Sequence, residues 1–440
     1  MSEILIKTLQ LILSLSLLVI IHEFGHFLFA RLFKTRVEKF YLFFDPWFAI
    51  FKKKIGETEY GIGWLPLGGY VKISGMIDES MDKEQMKQPP QPYEFRSKKT
   101  WQRLLIMIAG VLFNVILAFV IYMMILFVWG EKYLPASEVK YGIMTDSLGQ
   151  SIGLRNGDKI ISLDNKPVDN FRKIMGDIVL ENVHSIQVLR NDSHVNIIVP
   201  NNFIAKLIND KEFLEVRIPF IVEDFAKNSV AQQAGLKKGD RVIAINDTSV
   251  TYFDEVRSFL MRNKNREILL TVLRNNDSAK IKLKLPETGM LGVSIMADLE
   301  KFFKLKQINY GFFEAIPAGF NKTFSMLDNY MKQLKLIFSP QTKAYESLGG
   351  FISIGKIFPS EWDWFSFWSM SAFLSIVLAI MNLLPIPGLD GGHVLFLLYE
   401  IVTGRKPSDK FLERAQIFGM IILLALLIYA NGNDIIKLFK

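Results

Sequence analysis

The sequence of 440 residues contains no cysteine and only five histidines. A chain without cysteine has no disulfide bonds, no thiolate metal site and no cysteine nucleophile, so any bound metal must be held by histidine or carboxylate side chains. The net charge of +8 is modest, whereas hydrophobic residues make up 50% of the chain and the mean hydropathy is +0.23. This balance excludes a disordered chain and a simple soluble enzyme, and it indicates that lipid solvates part of the molecule.

Four apolar stretches are long enough to cross a bilayer as helices, which takes about 20 residues. They begin near Ile4, Leu104, Trp364 and Ile417, and the first, second and fourth end near Ala30, Trp129 and Ala430. The first stretch is too long for a secretory signal peptide and has no small-x-small cleavage site, so it is predicted to be a permanent span. The third continues into a segment with Pro385, Pro387 and Gly388, which must interrupt a helix. The sequence therefore predicts four transmembrane helices, one of them broken.

The distribution of basic residues predicts the orientation of these spans. Lysine and arginine collect after the first span and before the second, at Arg31, Lys34, Arg36, Lys39, Lys52, Lys53, Lys54, Arg96, Lys98, Lys99 and Arg103. Loops rich in basic residues are retained in the cytoplasm, so this loop is predicted to be cytoplasmic. The connection before the fourth span is predicted to lie on the same side, because it carries Arg405, Lys406, Lys410 and Arg414. Both termini and residues 131–363 then face outward.

A short pattern occurs twice in the outward stretch, about 80 residues apart. The first copy contains Gly153, Leu154, Gly157 and Asp158, and the second contains Gly235, Leu236, Gly239 and Asp240. Each copy is followed by a short strand-type run and a turn. The duplicated pattern resembles tandem PDZ domains of the bacterial envelope type, which implies two inserted α+β modules. The first copy departs from the PDZ pattern, because Gly149 and Ile152 stand where small alanines are expected.

Apolar residues recur at intervals of three and four from Phe313 to Phe338, between the repeats and the third span. This spacing predicts an amphipathic helix with lysines on its other faces. Such a helix either lies in the membrane interface or packs on the outward modules, and the sequence allows both.

The first span contains the sequence His22-Glu23-Phe24-Gly25-His26. Residues four apart lie on one face of a helix, so both imidazoles can reach one zinc ion while Glu23 acts on a bound water. The alternative is a pair of packed core histidines. Because ionisable side chains inside a membrane span are costly and are usually functional, we favour the metal site.

A hydrolytic zinc site needs a third protein ligand at membrane depth and one open position. His184 and His194 belong to the outward modules, whereas Asp390 and His393 follow the proline-rich break in the third span. Irregular backbone at this depth is tolerated where it lines protein or a wet cavity. Asp390 is therefore the predicted third ligand.

The combination of HExxH in the first span, Leu-Asp-Gly in a late broken span and PDZ-like modules between them resembles the site-2 proteases of the RseP type. The resemblance covers essentially the whole chain and implies that His22, His26 and Asp390 bind one zinc ion and that Glu23 is catalytic. It also implies that Asn382, Pro385 and Pro387 contact the unwound substrate. No role for His393 follows, so a supporting or structural role is expected.

Residues 60–71 resemble the membrane re-entrant β-hairpin of the same family. A helical substrate hides its peptide bonds in its own hydrogen bonds, and a hairpin edge can pair with the extended segment by β-augmentation. Gly61, Gly63, Gly68 and Gly69 are the predicted substrate-binding glycines of this hairpin. The alternative is a glycine-rich cytoplasmic loop.

The predicted protein is a mainly α-helical multi-pass membrane protein with two inserted PDZ-like modules. Its predicted divisions are residues 1–130 with two spans, 131–213 and 214–290 as the modules, 291–362 as a linker and 363–440 with the last spans. The resemblance implies a zinc metalloendopeptidase of a bacterial inner membrane that cleaves single-pass proteins, such as an anti-sigma factor or signal-peptide remnants. Exported C-terminal tails are expected partners of the modules, which act as tail readers or as a size filter, and no nucleic-acid partner is expected. The alternatives are a non-catalytic envelope scaffold and a zinc transporter.

Overall fold

The computed structural model describes residues 2–76, 88–208, 213–340, 342, 345 and 348–439. The chain divides into two compact units. Unit 1 consists of Met1–Glu131, Asn309–Phe338 and Ala344–Lys440, and unit 2 consists of Lys132–Ile308 and Ser339–Lys343.

The helices of the described residues are α1 (Glu3–Leu32), α2 (Thr100–Trp129), α3 (Ser147–Ser151), α4 (Ile174–Leu180), α5 (Phe203–Leu207), α6 (Val230–Gln233), α7 (Phe253–Arg262), α8 (Phe312–Ile337), α9 (Phe351–Ile357), α10 (Trp364–Leu383), α11 (Asp390–Thr403) and α12 (Asp409–Leu438). The strands are β1 (Val37–Ile55), β2 (Thr58–Ile73), β3 (Glu131–Tyr133), β4 (Ile143–Thr145), β5 (Lys159–Leu163), β6 (Lys166–Pro167), β7 (Ser185–Arg190), β8 (Ser193–Ile198), β9 (Leu214–Val216), β10 (Val222–Phe225), β11 (Arg241–Ile245), β12 (Thr248–Ser249), β13 (Glu267–Arg274), β14 (Asp277–Lys284), β15 (Val293–Ile295) and β16 (Lys306–Ile308).

Four helices of the described residues are long and apolar enough to cross a membrane, and they are α1, α2, α10 and α12. Small residues let them approach closely, as is typical of helices packed in lipid. A Cβ atom on Gly25 of α1 would lie 2.5 Å from the Ala109 carbonyl oxygen of α2. Buried hydroxyl groups also form hydrogen bonds between these helices. Ser371 of α10 donates to Ser14 of α1 at 2.9 Å, and Ser375 of α10 donates to the Asn114 carbonyl of α2 at 2.8 Å.

The third span is interrupted as predicted, since α10 ends at Leu383 and α11 begins at Asp390. Gly388 lies in this break with a φ of +106°, a conformation that favours glycine. The break packs against α12 at Gly419, which has no side chain. A Cβ atom on Gly419 would overlap the carbonyl oxygen of Pro387, so any larger residue there would displace the break.

The hairpin β1–β2 folds into four paired segments rather than two. Residues 37–42 pair on one side with residues 59–62 and on the other side with residues 69–73, and residues 49–55 pair with residues 58–63. The segments therefore lie in the order 49–55, 58–63, 37–42, 69–73. Within the described part of the chain, residues 69–73 have no second paired strand, so they form an edge of this sheet.

Unit 2 contains two four-stranded antiparallel sheets with the same strand order, β6-β5-β7-β8 and β12-β11-β13-β14. Each sheet covers its own hydrophobic core, with Ile186 and Val188 central to the first and Leu270 and Val272 central to the second. The shared order agrees with the sequence repeat and gives a membrane protein with inserted β modules. Assignment of these modules as PDZ domains stays a prediction.

The strand pairing differs from the predicted module boundaries. β9 lies beyond residue 213 but pairs with β4 of the first module, and β15 lies beyond residue 290 but pairs with β10 of the second. Phe302 and Phe303, predicted to be linker, pack in the first core. The predicted boundaries divide the chain into consecutive stretches, whereas antiparallel pairing joins strands that are far apart in the sequence. Residues 209–212, at the predicted end of the first module, lie outside the described residues.

The repeated Gly-Asp pattern has a structural role in both modules. Asp158 accepts hydrogen bonds from Arg190 Nε and Nη2, both at 2.7 Å, and the same guanidinium donates to the Gly153 carbonyl. In the second module Asp240 pairs in the same way with Arg274, at 2.8 and 2.7 Å. Burial acts to raise the pKa of the Asp240 carboxyl, but the hydrogen bonds from Arg274 and Lys237 outweigh it and hold this pKa below its usual range.

The glycines of the pattern are required by the backbone. Gly153, Gly157, Gly235 and Gly239 have φ values of +102°, +92°, +98° and +85°. These values lie in the region that side chains with a Cβ disfavour. Leu154 and Leu236 are buried in the two cores. The repeat therefore builds a turn and a buried ion pair.

The predicted amphipathic helix is α8, and it belongs to unit 1. Its small residues Ala315, Gly319 and Thr323 are buried, and a Cβ atom on Gly319 would lie 2.8 Å from Met123 Cα of α2. The predicted apolar stripe is divided, because Phe313, Phe324 and Phe338 are exposed whereas Leu334 is buried in a core with residues of α2 and α10. The helix therefore packs along α2 of its own unit, through these small residues and through Phe320, whose ring centroid lies 6.4 Å from that of Phe119. Its place in the membrane interface or against the outward modules stays a prediction.

Candidate metal centre and cavity

Helix α1 presents two buried imidazoles to the same point. His22 and His26 are one helical turn apart and each is 6% exposed. Their Nε2 atoms lie 3.2 Å apart, and Glu23 is the next residue around the helix. This is the arrangement that the i, i+4 spacing predicts.

The structure brings Asp390 to these imidazoles from a distant part of the chain. Asp390 is the first residue of α11, and its Oδ2 atom lies 3.1 Å from His22 Nε2 and 3.2 Å from His26 Nε2. The three ligand atoms therefore form a nearly equilateral triangle. Among the described residues they are the one group of at least three His, Asp or Glu side chains that could hold a metal ion.

The triangle fits a zinc ion. Ligand atoms at about 2.0–2.1 Å from a tetrahedral zinc stand about 3.3 Å apart, close to the three separations found here. Asp390 Oδ2 is buried yet accepts no well-aligned hydrogen bond from any described residue, although two ring nitrogens are within 3.2 Å. Three ligand atoms at these separations, one of them a buried carboxylate oxygen without a hydrogen-bond partner among the described residues, suit a metal site.

Helix α2 supports both imidazoles. His26 Nδ1 lies 2.8 Å from the Ile106 carbonyl oxygen and donates to it, which leaves Nε2 free to bind a metal. Asn114 is fully buried, and its side-chain amide lies 3.1 Å from His22 Nδ1. Gly110 gives the imidazoles room, because a Cβ atom there would lie 2.3 Å from His26 Nε2.

The triangle opens into a cavity of about 760 Å³. The HExxH motif of α1 and the break between α10 and α11 line one part of it. The sheet edge lines another part with Gly68, Gly69, Tyr70, Val71, Lys72 and Ile73. The Glu23 carboxylate is paired with the backbone amide of Val71, so the edge passes beside the predicted catalytic residue.

The other predicted site residues divide into two groups. Asn382 lines the cavity with its Nδ2 atom 3.3 Å from His22 Nε2, and His393 also lines it. Pro385 and Pro387 lie in the break before Asp390. Gly61 and Gly63 are instead in the interior of the sheet, where Cβ atoms would overlap the Tyr41 ring and the Phe44 carbonyl. Gly68 and Gly69 border the cavity, whereas Gly61 and Gly63 permit close strand packing.

Sequence reasoning missed several residues that the structure connects to the site. Gly110 and Asn114 are four apart on one face of α2, a spacing that could have indicated their joint role. Arg103 donates to Glu400 at 2.5 Å and joins α2 to α11, the helix that begins with Asp390. The arginine partners of Asp158 and Asp240 could also have been predicted from the sequence, because Val-Leu-Arg-Asn occurs at both residues 188–191 and 272–275.

Known proteins are similar to this chain over nearly its whole length. The family profile described as peptidase family M50 matches residues 10–426. A protein of Borreliella burgdorferi named as a zinc metalloprotease is 29% identical, over 96% of this chain and 97% of its own. One of Vibrio cholerae with the same kind of name is 28% identical over both full lengths. The regulator of sigma E protease of Haemophilus influenzae is 27% identical, over 97% of this chain and 98% of its own.

Proposed function

Because the chain belongs to peptidase family M50, the site-2 proteases, it is a membrane metalloendopeptidase of regulated intramembrane proteolysis, and we propose that its active site is the centre formed by His22, His26, Asp390 and Glu23. The observation that carries this proposal is the triangle of ligand atoms, 3.1–3.2 Å on each side. We propose one zinc ion per chain, since one such group occurs among the described residues.

The proposed roles follow from where the side chains lie. Bound zinc would supply a Lewis acid and a water of lowered pKa. Glu23 lines the cavity beside the ligands, so its carboxylate is positioned to take a proton from the attacking water and return it to the leaving amine. Asn382 lies at the same wall, where its amide can donate to a substrate carbonyl or to the developing oxyanion.

The free sheet edge supports an unwound transmembrane segment as the substrate. Residues 69–73 lie along the cavity and offer backbone groups to an extended chain. A transmembrane helix cannot be hydrolysed while its peptide bonds are enclosed in its own hydrogen bonds, so β-augmentation at this edge would hold it unwound. We propose that residues 68–73, rather than the stretch around Gly61 and Gly63, pair with the substrate.

The proposed substrates are single-pass membrane proteins, such as an anti-sigma factor or signal-peptide remnants. The regulator of sigma E protease among the relatives supports this class. We propose that the chain lies in a bacterial inner membrane with the centre near the cytoplasmic side and the modules outside. Outside, the modules would read exported C-terminal tails or limit the size of the substrate that reaches the cavity.

The test is the Glu23→Gln variant of the purified full-length protein. This substitution keeps the shape and removes the proton acceptor, so zinc content should stay equal to that of the wild type while cleavage of a transmembrane model peptide falls by at least about a hundredfold. Glu57→Gln, an exposed change in the β1–β2 turn, is the matched control. Cleavage by Glu23→Gln at the wild-type rate would contradict the assignment.

A further inference from the structure

One wall of the cavity carries a polar cluster that the proposed hydrolysis does not use. Lys39, Asp45 and Tyr70 all line the cavity. The Tyr70 hydroxyl donates to Asp45 Oδ1 at 2.8 Å, and Lys39 Nζ lies 3.6 Å from Asp45 Oδ2. A carboxylate, an ammonium and a phenol hydroxyl held together at the wall of this cavity suggest a role in recognising the substrate.

The cluster lies on one face of the sheet. Tyr41 pairs with Tyr70 and Lys39 pairs with Lys72, so these four side chains point the same way. The alternate residues point toward α1, where Phe40 contacts Phe27 with their ring centroids 5.6 Å apart. A strand added at residues 69–73 would follow the same alternation. Every second substrate side chain would therefore lie on the face of the cluster.

The cluster has the composition of an ammonium-binding site. The rings of Tyr41 and Tyr70 are stacked, with centroids 5.4 Å apart, and the Lys39 ammonium lies 5.2 and 6.0 Å from these centroids. Tyr41 is buried and Phe44 stacks on the other face of Tyr70, so the groups open to a cation are the Asp45 carboxylate and the Tyr70 hydroxyl, which lies 3.4 Å from Lys39 Nζ. Lys39 is 38% exposed at its side chain, so its flexible stem can withdraw from the site at small cost.

The backbone is strained on both sides of Asp45. Phe43 and Trp47 have φ values of +68° and +71°, which bulky residues adopt rarely. Between them, the Pro46 carbonyl accepts a hydrogen bond from Trp64 Nε1 at 2.9 Å. Strain of this kind persists at functional sites because the surroundings determine the conformation.

We propose that Asp45, with the Tyr70 hydroxyl beside it, forms a subsite for a lysine or arginine side chain of the substrate strand, and that Lys39 occupies it when no substrate is bound. The inference rests on the proposed function and adds a specificity to it. It also agrees with the chemistry of the substrate class, since membrane proteins carry their basic residues at the cytoplasmic ends of their spans.

The test uses a set of transmembrane peptides in which a single lysine replaces leucine at successive positions around the cleavage site. For the wild-type, zinc-loaded protein, lysine at one position should raise kcat/KM about tenfold over leucine, the size of a partly desolvated cation interaction. Lysine at the two adjacent positions should not do so, because their side chains lie on the other face.

Two substitutions should act in opposite directions. Asp45→Asn should abolish the lysine preference, so that lysine and leucine peptides are cleaved at similar rates, whereas Lys39→Met should empty the subsite and increase the preference severalfold. The controls are Glu57→Gln and Lys53→Met, which make the same charge changes on the same hairpin outside the cavity. Equal effects of Asp45→Asn on lysine and leucine peptides, or a preference for glutamate, would overturn the proposal.

A binding measurement separates this inference from the proposed function. Affinity of the fluorescent peptides for the Glu23→Gln protein does not depend on hydrolysis, so the lysine preference and its loss in Glu23→Gln/Asp45→Asn should appear there as well. If wild type cleaves none of the peptides but the binding preference follows Asp45, the hydrolytic proposal fails and the subsite stands. Binding that ignores both Asp45 and Lys39 refutes the subsite.

Discussion

The two histidines of the centre depend on single atoms of α2 for their orientation. The Ile106 carbonyl fixes His26, and the Asn114 amide faces His22 Nδ1. If His22 binds zinc through Nε2, its Nδ1 carries a proton and needs an acceptor. Asn114 Oδ1 is buried and has no partner among the described residues, and turning the amide over would direct this oxygen to that proton. In the proposed zinc centre, Asn114 would therefore act as a positioning residue for His22.

Asn114→Ala should weaken zinc binding by about 10–100-fold, because loss of such a partner frees the imidazole to rotate. Zinc affinity would be measured by competition with a chelator on the purified protein. Asn263→Ala, at the end of a helix in unit 2, is the control and should leave zinc affinity unchanged. An affinity equal to wild type in Asn114→Ala would show that His22 is oriented without it.

Among the elements, α11 has the largest consequence for the centre, since its first residue is Asp390. Its start is set by close contacts, because Cβ atoms on Gly391 and Gly392 would overlap the backbone of the preceding break. Near its other end Glu400 accepts from Arg103 and from the Thr100 hydroxyl of α2, at 2.5 and 2.8 Å. This nearly buried ion pair holds α11 on the helix that supports both imidazoles.

Removing one partner of the Arg103–Glu400 ion pair should destabilise the protein more than removing both partners. Arg103→Met leaves the Glu400 carboxylate without its cation and should lower the free energy of unfolding by about 3–5 kcal/mol. Arg103→Met/Glu400→Leu removes both charges and should recover most of that loss. Thermal unfolding of the detergent-solubilised variants would measure the difference. A double variant no more stable than Arg103→Met would show that the pair is not what fixes α11.

For the whole molecule, the proposed orientation places the modules and the loop before α12 on opposite sides of the membrane. The absence of cysteine makes this directly testable, since one introduced thiol is the sole site of labelling. Asp247 and Arg405 are exposed in unit 2 and in that loop, respectively.

A membrane-impermeant maleimide added to intact spheroplasts should label Asp247→Cys and not Arg405→Cys. After the membrane is permeabilised, both variants should be labelled, which controls for thiol reactivity. Labelling of Arg405→Cys alone in intact spheroplasts would reverse the predicted topology, which rests on the basic residues that flank the spans.

Several features depend on residues near one another in the sequence, and the sequence predicted these directly. Span lengths, the i, i+4 spacing of His22 and His26, the helix break at Pro385 and the repeat of about 80 residues are all local patterns. The four apolar helices and the interrupted third span follow from them. Periodicity and backbone restriction act within a few residues, so they can be read without knowing the fold.

Other features required the tertiary structure, because they join segments that the sequence keeps far apart. Asp390 was predicted from composition and resemblance, but its contact with residues more than 360 positions earlier is a property of helix packing. The same holds for the edge at residues 69–73, the interior place of Gly61 and Gly63, and the cluster of Lys39, Asp45 and Tyr70. Strand register and helix contacts depend on the whole folded chain, so only the fold decided which of the candidate residues share one cavity.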